Sequence, residues 1–425
     1  MGAMGSANRP PSARSFLRRD ARRVLMATAV LLALAGLAWA NFRFASTNPG
    51  GNDFLPRWVG TRAFLLEGRS PYSEAVARRI QRLAYGRPAR PGEDQMRMVY
   101  PFYALPFFAP YALIANYTWA RALWMTTLEV LLVAQALMAL DLARWRLKPW
   151  GLAAYLLFAL TWYHGLRALV NGNPVVLAAA LLTAVPWLLR RGRPGGAGVA
   201  LALSTIKPQV ALLAVIGLLW WAWRQKRRAL LRAFGLTMAG LLALSFAVHP
   251  AWLQENWREI RAYPGYTPAT TVQEALLEML PPSLEAVGVA LGLALSAGLL
   301  VAWARLWRAA AQGPATVPLE AYALTLVIGQ WVGIPTDPGN FVLLLLPLVL
   351  VLAGLARRYG PGASWALLGA VWVGLWALFL ATLAPGERGP QQHPILFVPL
   401  PALLLALGYG LGLHRQPKNN AANPS

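Results

Sequence analysis

Asp53, in Asn52-Asp53-Phe54, opens a long polar loop that follows one apolar run of membrane-spanning length and precedes many others. A carboxylate just outside a hydrocarbon-length helix meets water on one side and lipid head groups on the other, where it can serve as a base toward a lipid-linked substrate. Asp also caps helices and turns the chain, so the residue alone fits a capping role equally well. The loop around it is rich in arginine, with Arg57, Arg62, Arg69, Arg78, Arg79, Arg82, Arg87, Arg90 and Arg97. Helical spacing over 57–82 sets several guanidinium groups beside the membrane surface, where phosphate is the abundant anion. Contact with lipid head groups and contact with a substrate both satisfy that pattern.

The elements that must hold these residues follow from composition. Of 425 residues, 57% are hydrophobic and 13% charged, and apolar runs of spanning length recur from end to end. That is an all-α polytopic membrane protein. A transmembrane β-barrel needs short segments of strict alternation, and Val24–Ala40 and Phe341–Leu355 do not alternate. The net charge of +23 would suggest nucleic acid in a soluble protein. Here the cations cluster beside apolar runs, at Arg18–Arg23, Arg144–Lys148, Arg190–Arg193 and Arg224–Arg228. They read as orientation signals and anionic-lipid contacts, with no nucleic-acid partner. The chain has no cysteine, which excludes disulfides, thiolate metal sites and a cysteine nucleophile.

Met1–Ala7 reads as an expression scar, so residues 1–23 are expected to be that remnant and a cytoplasmic N-terminus. One transmembrane domain is expected over 24–413, with outer loops at 42–97 and 249–283, and a cytoplasmic tail over 414–425. Counting basic flanks as inside also puts 171–173, 336–340 and 384–393 on the outer face of a multi-pass inner (plasma) membrane protein. Two arrangements fit 195–223. Either two short helices meet at Lys207-Pro208 and 100–114 is re-entrant, or one tilted helix kinks at Pro208 and 100–114 crosses fully. Both imply a protein-lined or watery cavity at the break. Glu129, inside an apolar run, is expected to bond a neighbouring helix, and Trp162, Tyr163, Trp257, Tyr263 and Tyr266 to form an aromatic belt.

Several segments in order resemble one known family. Gly50-Gly51-Asn52-Asp53-Phe54, Thr61–Tyr72 and Tyr100-Pro101-Phe102 are similar to the N-terminal pattern of glycosyltransferase family 87. The likeness continues through Asn171-Gly172-Asn173-Pro174, Arg190–Ala202, Lys207-Pro208 and Trp220–Arg228. The resemblance implies a GT-C-type fold with about 11 to 13 transmembrane or re-entrant helices and a large first extracytoplasmic loop. It also implies transfer of a sugar, mannose above all, from a polyprenyl-phosphate donor to a lipid or glycan acceptor, with inversion. On that likeness Asp53 is the catalytic base, Lys207, Arg62 and Arg69 are candidates for the donor phosphate, and Asn171, Asn173, Asp337, His393 and His249 are candidate substrate contacts.

Two departures stand out. Asn52 precedes Asp53, so no paired acidic motif offers a divalent-metal site, and neither metal nor cofactor is expected. The family's His-Asp-like element survives only as Asp337; His393 is a substitute for its histidine or a loop-end residue, and Lys207 a phosphate ligand or a snorkelling cation. A flippase or transporter of lipid-linked sugars is the alternative. It calls for a charged path across the bilayer and internal repeats, whereas the polar groups here gather on one side and no repeat is evident.

Overall fold

The computed structural model describes residues 13–266, 271–314, 316–332, 337–386, 389–391 and 393–410. The first described element is α1 (Ala13–Thr47), whose Val24, Leu31, Leu32 and Trp39 are exposed, as on a lipid-facing helix. Near its end Asn41 donates to Thr126 Oγ1 at 3.0 Å and to Glu129 Oε2 at 2.8 Å, which gives Glu129 the expected partner on a neighbouring helix.

The first loop folds on itself as α2 (Leu55–Glu67) and α3 (Glu74–Tyr85), each ended by a glycine, Gly68 and Gly86, at positive φ. On α3, Val76, Ala77 and Ile80 face inward and Arg78, Arg79 and Arg82 face out. An extended stretch returns to Tyr100, and a short 3-10 turn leads into α4 (Leu105–Ala112). Eight residues rise about 12 Å, far short of a hydrocarbon core about 30 Å thick, so this segment does not cross.

The remaining helices are α5 (Tyr117–Ala143), α6 (Pro149–Thr161), α7 (Tyr163–Asn171), α8 (Val175–Arg190), α9 (Pro194–Ser204), α10 (Pro208–Arg224) and α11 (Arg228–Val248). After them come α12 (Trp252–Ala262), α13 (Val272–Glu278), α14 (Glu285–Gln312), α15 (Leu319–Val332), α16 (Leu345–Tyr359) and α17 (Pro361–Thr382). A two-stranded hairpin, Ala384–Gly386 with Gly389–Gln391, precedes α18 (Pro399–Gly410). The separate α9 and α10 settle the two arrangements open for 195–223 in favour of two short helices meeting at Lys207-Pro208. Proline fits the start of α10, where its missing N–H has no intrahelical role.

Among the described residues six helices are long and apolar enough to cross a membrane and six shorter ones are apolar. This all-helical plan agrees with the polytopic reading. The core sits where α5, α8 and α16 meet: Leu128, Leu132, Leu182, Val185, Leu346 and Val349 are fully buried. Around it α11, α14 and α17 expose leucine and valine outward, as lipid-facing helices do. At one end of this core Arg190 and Arg191 reach Asp141, and Arg357 reaches the Ala143 carbonyl.

Two expectations change. The second polar loop is partly helical: α12 buries Trp252, Asn256 and Glu259 against the first loop and exposes Leu253, Trp257 and Ile260. Trp162 and Tyr163 do not belong to an aromatic belt, being buried among Phe158, Trp376 and Phe379.

Candidate active site

Asp53 is positioned by a turn that only glycine can make. Gly51 has φ +76°, and a Cβ there would come within 2.6 Å of Tyr117 Oη and 2.9 Å of Arg121 Cδ. The Gly51 carbonyl accepts from the amides of Phe54 and Leu55, which starts α2, and the Asp53 amide donates to the Asn171 carbonyl at 3.0 Å. Arg121, buried on α5, donates to the carbonyls of Asn48 at 2.7 Å and Val170 at 3.2 Å and so joins the two turns. Phe54 stacks on Trp124, whose indole N–H donates to the Gly172 carbonyl at 2.8 Å. Asp53 is therefore fixed by backbone and packing on both sides. Its carboxylate makes no helix cap.

Desolvation raises the Asp53 carboxyl above its ordinary pKa, against the opposing pull of Arg57 and Lys207. Those two cations, Arg167 and Asp337 all lie within its electrostatic reach. Lys207, buried between α9 and α10, donates to Asn173 Oδ1 at 2.8 Å and to Asn340 Oδ1. An ammonium has three protons, and the third has no partner among the described residues. Asn173 holds its place by accepting from the Val175 amide at 3.0 Å at the start of α8.

Two groups complete the surroundings. Arg167 on α7 pairs with Asp337 through contacts of 2.7 Å and 3.2 Å, and Asp337 also accepts from the Gly339 amide. Burial opposes ionisation of Asp337, but Arg167 and the Gly339 amide outweigh it and hold its carboxyl below its ordinary value. Beside the pair, buried His164 bonds the Pro338 carbonyl through Nδ1 at 2.7 Å. The Arg57 guanidinium lies 4.3 Å from the Tyr100 ring centroid, with the Lys207 ammonium 5.9 Å away on the same ring. Arg57 Nε and Tyr100 Oη are buried and have no partner among the described residues.

The structure thus brings together Asp53, Lys207, Asn173, Asp337 and the Asn171 backbone. The other candidates lie elsewhere. Arg62 donates to the Ala112 carbonyl at 2.8 Å, and Arg69 is exposed beside Glu67 at 3.5 Å. His249 bonds Glu255 at 2.7 Å between Phe64 and Phe102, and exposed His393 caps a 3-10 turn through the Ile395 amide. Arg57, Tyr100, Arg167, His164 and Asn340 were not among the candidates. Arg167 and His164 carried a usable signal, since ionisable residues three apart in an apolar run mark a polar interior. Among the described residues no group of three or more His, Asp or Glu side chains could hold a metal ion.

No curated protein and no solved structure matches the chain. The family model described as Glycosyltransferase family 87 matches residues 98–332, more than half of its length. The matched span contains Tyr100, Arg167, Asn173 and Lys207; Asp53 precedes it and Asp337 follows it. With most of the polar cluster inside that span, on an all-helical membrane scaffold, the chain belongs to glycosyltransferase family 87.

Proposed function

We propose that this glycosyltransferase moves a hexose, mannose on the family likeness, from a polyprenyl-phosphate carrier to a hydroxyl of a lipid or glycan acceptor. The reading rests above all on one carboxylate, Asp53, set within electrostatic reach of Arg57, Lys207 and Arg167. The acceptor oxygen attacks the anomeric carbon opposite the phosphate and its proton passes to Asp53. The bond from that carbon to the phosphate oxygen breaks, polyprenyl phosphate leaves with the electron pair, and the anomeric configuration inverts. A sugar hydroxyl is a weak nucleophile that a positioned base assists. Charge gathering on the leaving phosphate is stabilised by fixed cations in a water-poor site, and Lys207 has a proton left to give. These cations do the work for which other transferases employ a divalent ion.

The same reading puts the reaction on the extracytoplasmic face of the inner membrane. The basic cluster of Arg190, Arg191 and Arg357 lies at the ends of α8 and α16 away from Asn173 and Asn340, and basic flanks mark the cytoplasmic side. The test is to incubate purified protein with radiolabelled polyprenyl-phosphate sugars and total lipid acceptors. Labelled product of inverted configuration, formed in the presence of a chelator, is expected. Transfer from a nucleotide sugar with none from any carrier-linked sugar would overturn the reading.

A further inference from the structure

A cleft of about 430 Å³ opens between α3 and α12, away from Asp53. We propose that it is a subsite for the sugar hydroxyls of the acceptor, which makes the acceptor a glycan or glycolipid; this rests on the transferase reading above. Three polar atoms in its wall point to a ligand of that kind. Ser73 Oγ, Glu259 Oε2 and Tyr266 Oη are shielded from water and have no hydrogen-bond partner among the described residues. Glu259 as a whole is 7% exposed. Leaving such groups unpaired destabilises the folded chain, which a chain folding for stability alone would avoid.

Ser73 shows the point most plainly. It occupies the N-cap position of α3, where serine ordinarily accepts from a backbone amide, yet it makes no cap bond there. The cleft's charges balance, Glu74 and Glu259 against Arg97 and Arg258. That suits a neutral ligand with many hydroxyls better than a phosphate. A ligand reaches the covered atoms by shifting Arg97, whose hold on Glu259 is 3.5 Å long against 2.6 Å to Glu74.

The cleft shares a wall with the catalytic cluster. Tyr72 Oη donates to the Tyr100 carbonyl at 2.8 Å and Asn256 to the same carbonyl at 3.1 Å, while the ring of that residue lies 4.3 Å from the Arg57 guanidinium and 5.9 Å from the Lys207 ammonium. Asp94 lies within electrostatic reach of both Tyr266 and Asp53. A glycan seated here therefore extends toward the base. On its outer face α12 exposes Leu253, Trp257 and Ile260, the stripe of a helix lying in the membrane surface.

The test titrates methyl α-mannoside, methyl α-glucoside and methyl β-galactoside, without donor, into the full chain in detergent, observed by saturation-transfer NMR. Binding of at least one is expected. Tyr266→Phe and Ser73→Ala should each weaken it about two- to tenfold, the loss of one hydrogen bond, while the melting temperature stays equal or rises because an unpaired buried hydroxyl is gone. Arg193→Ala, at an exposed position beyond α8 and outside the cleft, should bind as the parent does. Absence of binding, unchanged affinity in both hydroxyl variants, or an equal loss in Arg193→Ala would each overturn the proposal. Because no donor is present, glycoside binding by a protein that transfers nothing supports the cleft and sinks only the transfer reading.

Discussion

The backbone amide of Asp53 donates to the carbonyl oxygen of Asn171 at 3.0 Å, and that bond ties the first loop to the turn between α7 and α8. The turn also presents Asn173 to Lys207, so the base and the cation share one backbone frame. The frame depends on close approach at Gly172, whose φ is +67° and where a Cβ would lie 2.7 Å from Phe54 Cβ. Gly172→Ala should cost about 1–3 kcal/mol of stability through backbone strain and overpacking and should lower kcat more than KM. Thermal unfolding and steady-state kinetics on one preparation check both, and a fully active variant of parent stability would contradict the shared frame.

Lys207→Met keeps the length of the side chain and removes its charge. Donor binding should weaken by about 1.5–3 kcal/mol if a charge-assisted hydrogen bond to phosphate is lost. The variant also leaves Asn173 Oδ1 and Asn340 Oδ1 without their donor, so its melting temperature should fall. Lys207→Arg is the companion measurement, since it keeps the charge. Equal donor affinity in parent and Met variant would reduce Lys207 to a structural pin.

The raised Asp53 carboxyl sets a pH dependence. A base must be ionised to act, so the acid limb of kcat/KM should fall above the ordinary aspartate value of about 3.9. Stability has the opposite sense. With the folded pKa above the unfolded one, ionisation at Asp53 weakens folding; this penalty is fully present above the folded pKa and vanishes below the unfolded one. Asp53→Asn should melt at or above the parent temperature near neutral pH, and the difference should shrink as the pH falls through that window.

Much of the scaffold was legible in the sequence because apolar run length and basic flanks are strong signals in a membrane protein. Asp53 and Lys207 stood out because each is an ionisable group at a break between apolar runs. The arginines did not sort themselves. Arg57 and Arg62 are five residues apart, which on a helix turns them about 140° from one another. Arg57 points to Tyr100 and Arg62 to the Ala112 carbonyl, a distinction set by which face of α2 packs inward. The partially helical second loop and its cleft were hidden for a related reason: α12 has two useful faces, and composition averages over both.

Orientation has its own test, convenient in a chain without cysteine. Arg78 on α3 and Arg193 beyond α8 are both exposed. Arg78→Cys should label with an impermeant maleimide in intact cells, and Arg193→Cys only after permeabilisation. The reverse pattern would place the Asp53 side in the cytoplasm.

The most direct test of the central claim is sugar transfer by Asp53→Asn, measured beside donor binding on the same purified protein. The amide preserves shape and leaves the Asn171 bond untouched, since that bond is made by the backbone. A base predicts a loss of about 10²- to 10⁴-fold in turnover with donor binding retained. Transfer at near the parent rate would contradict the assignment of Asp53 as the base.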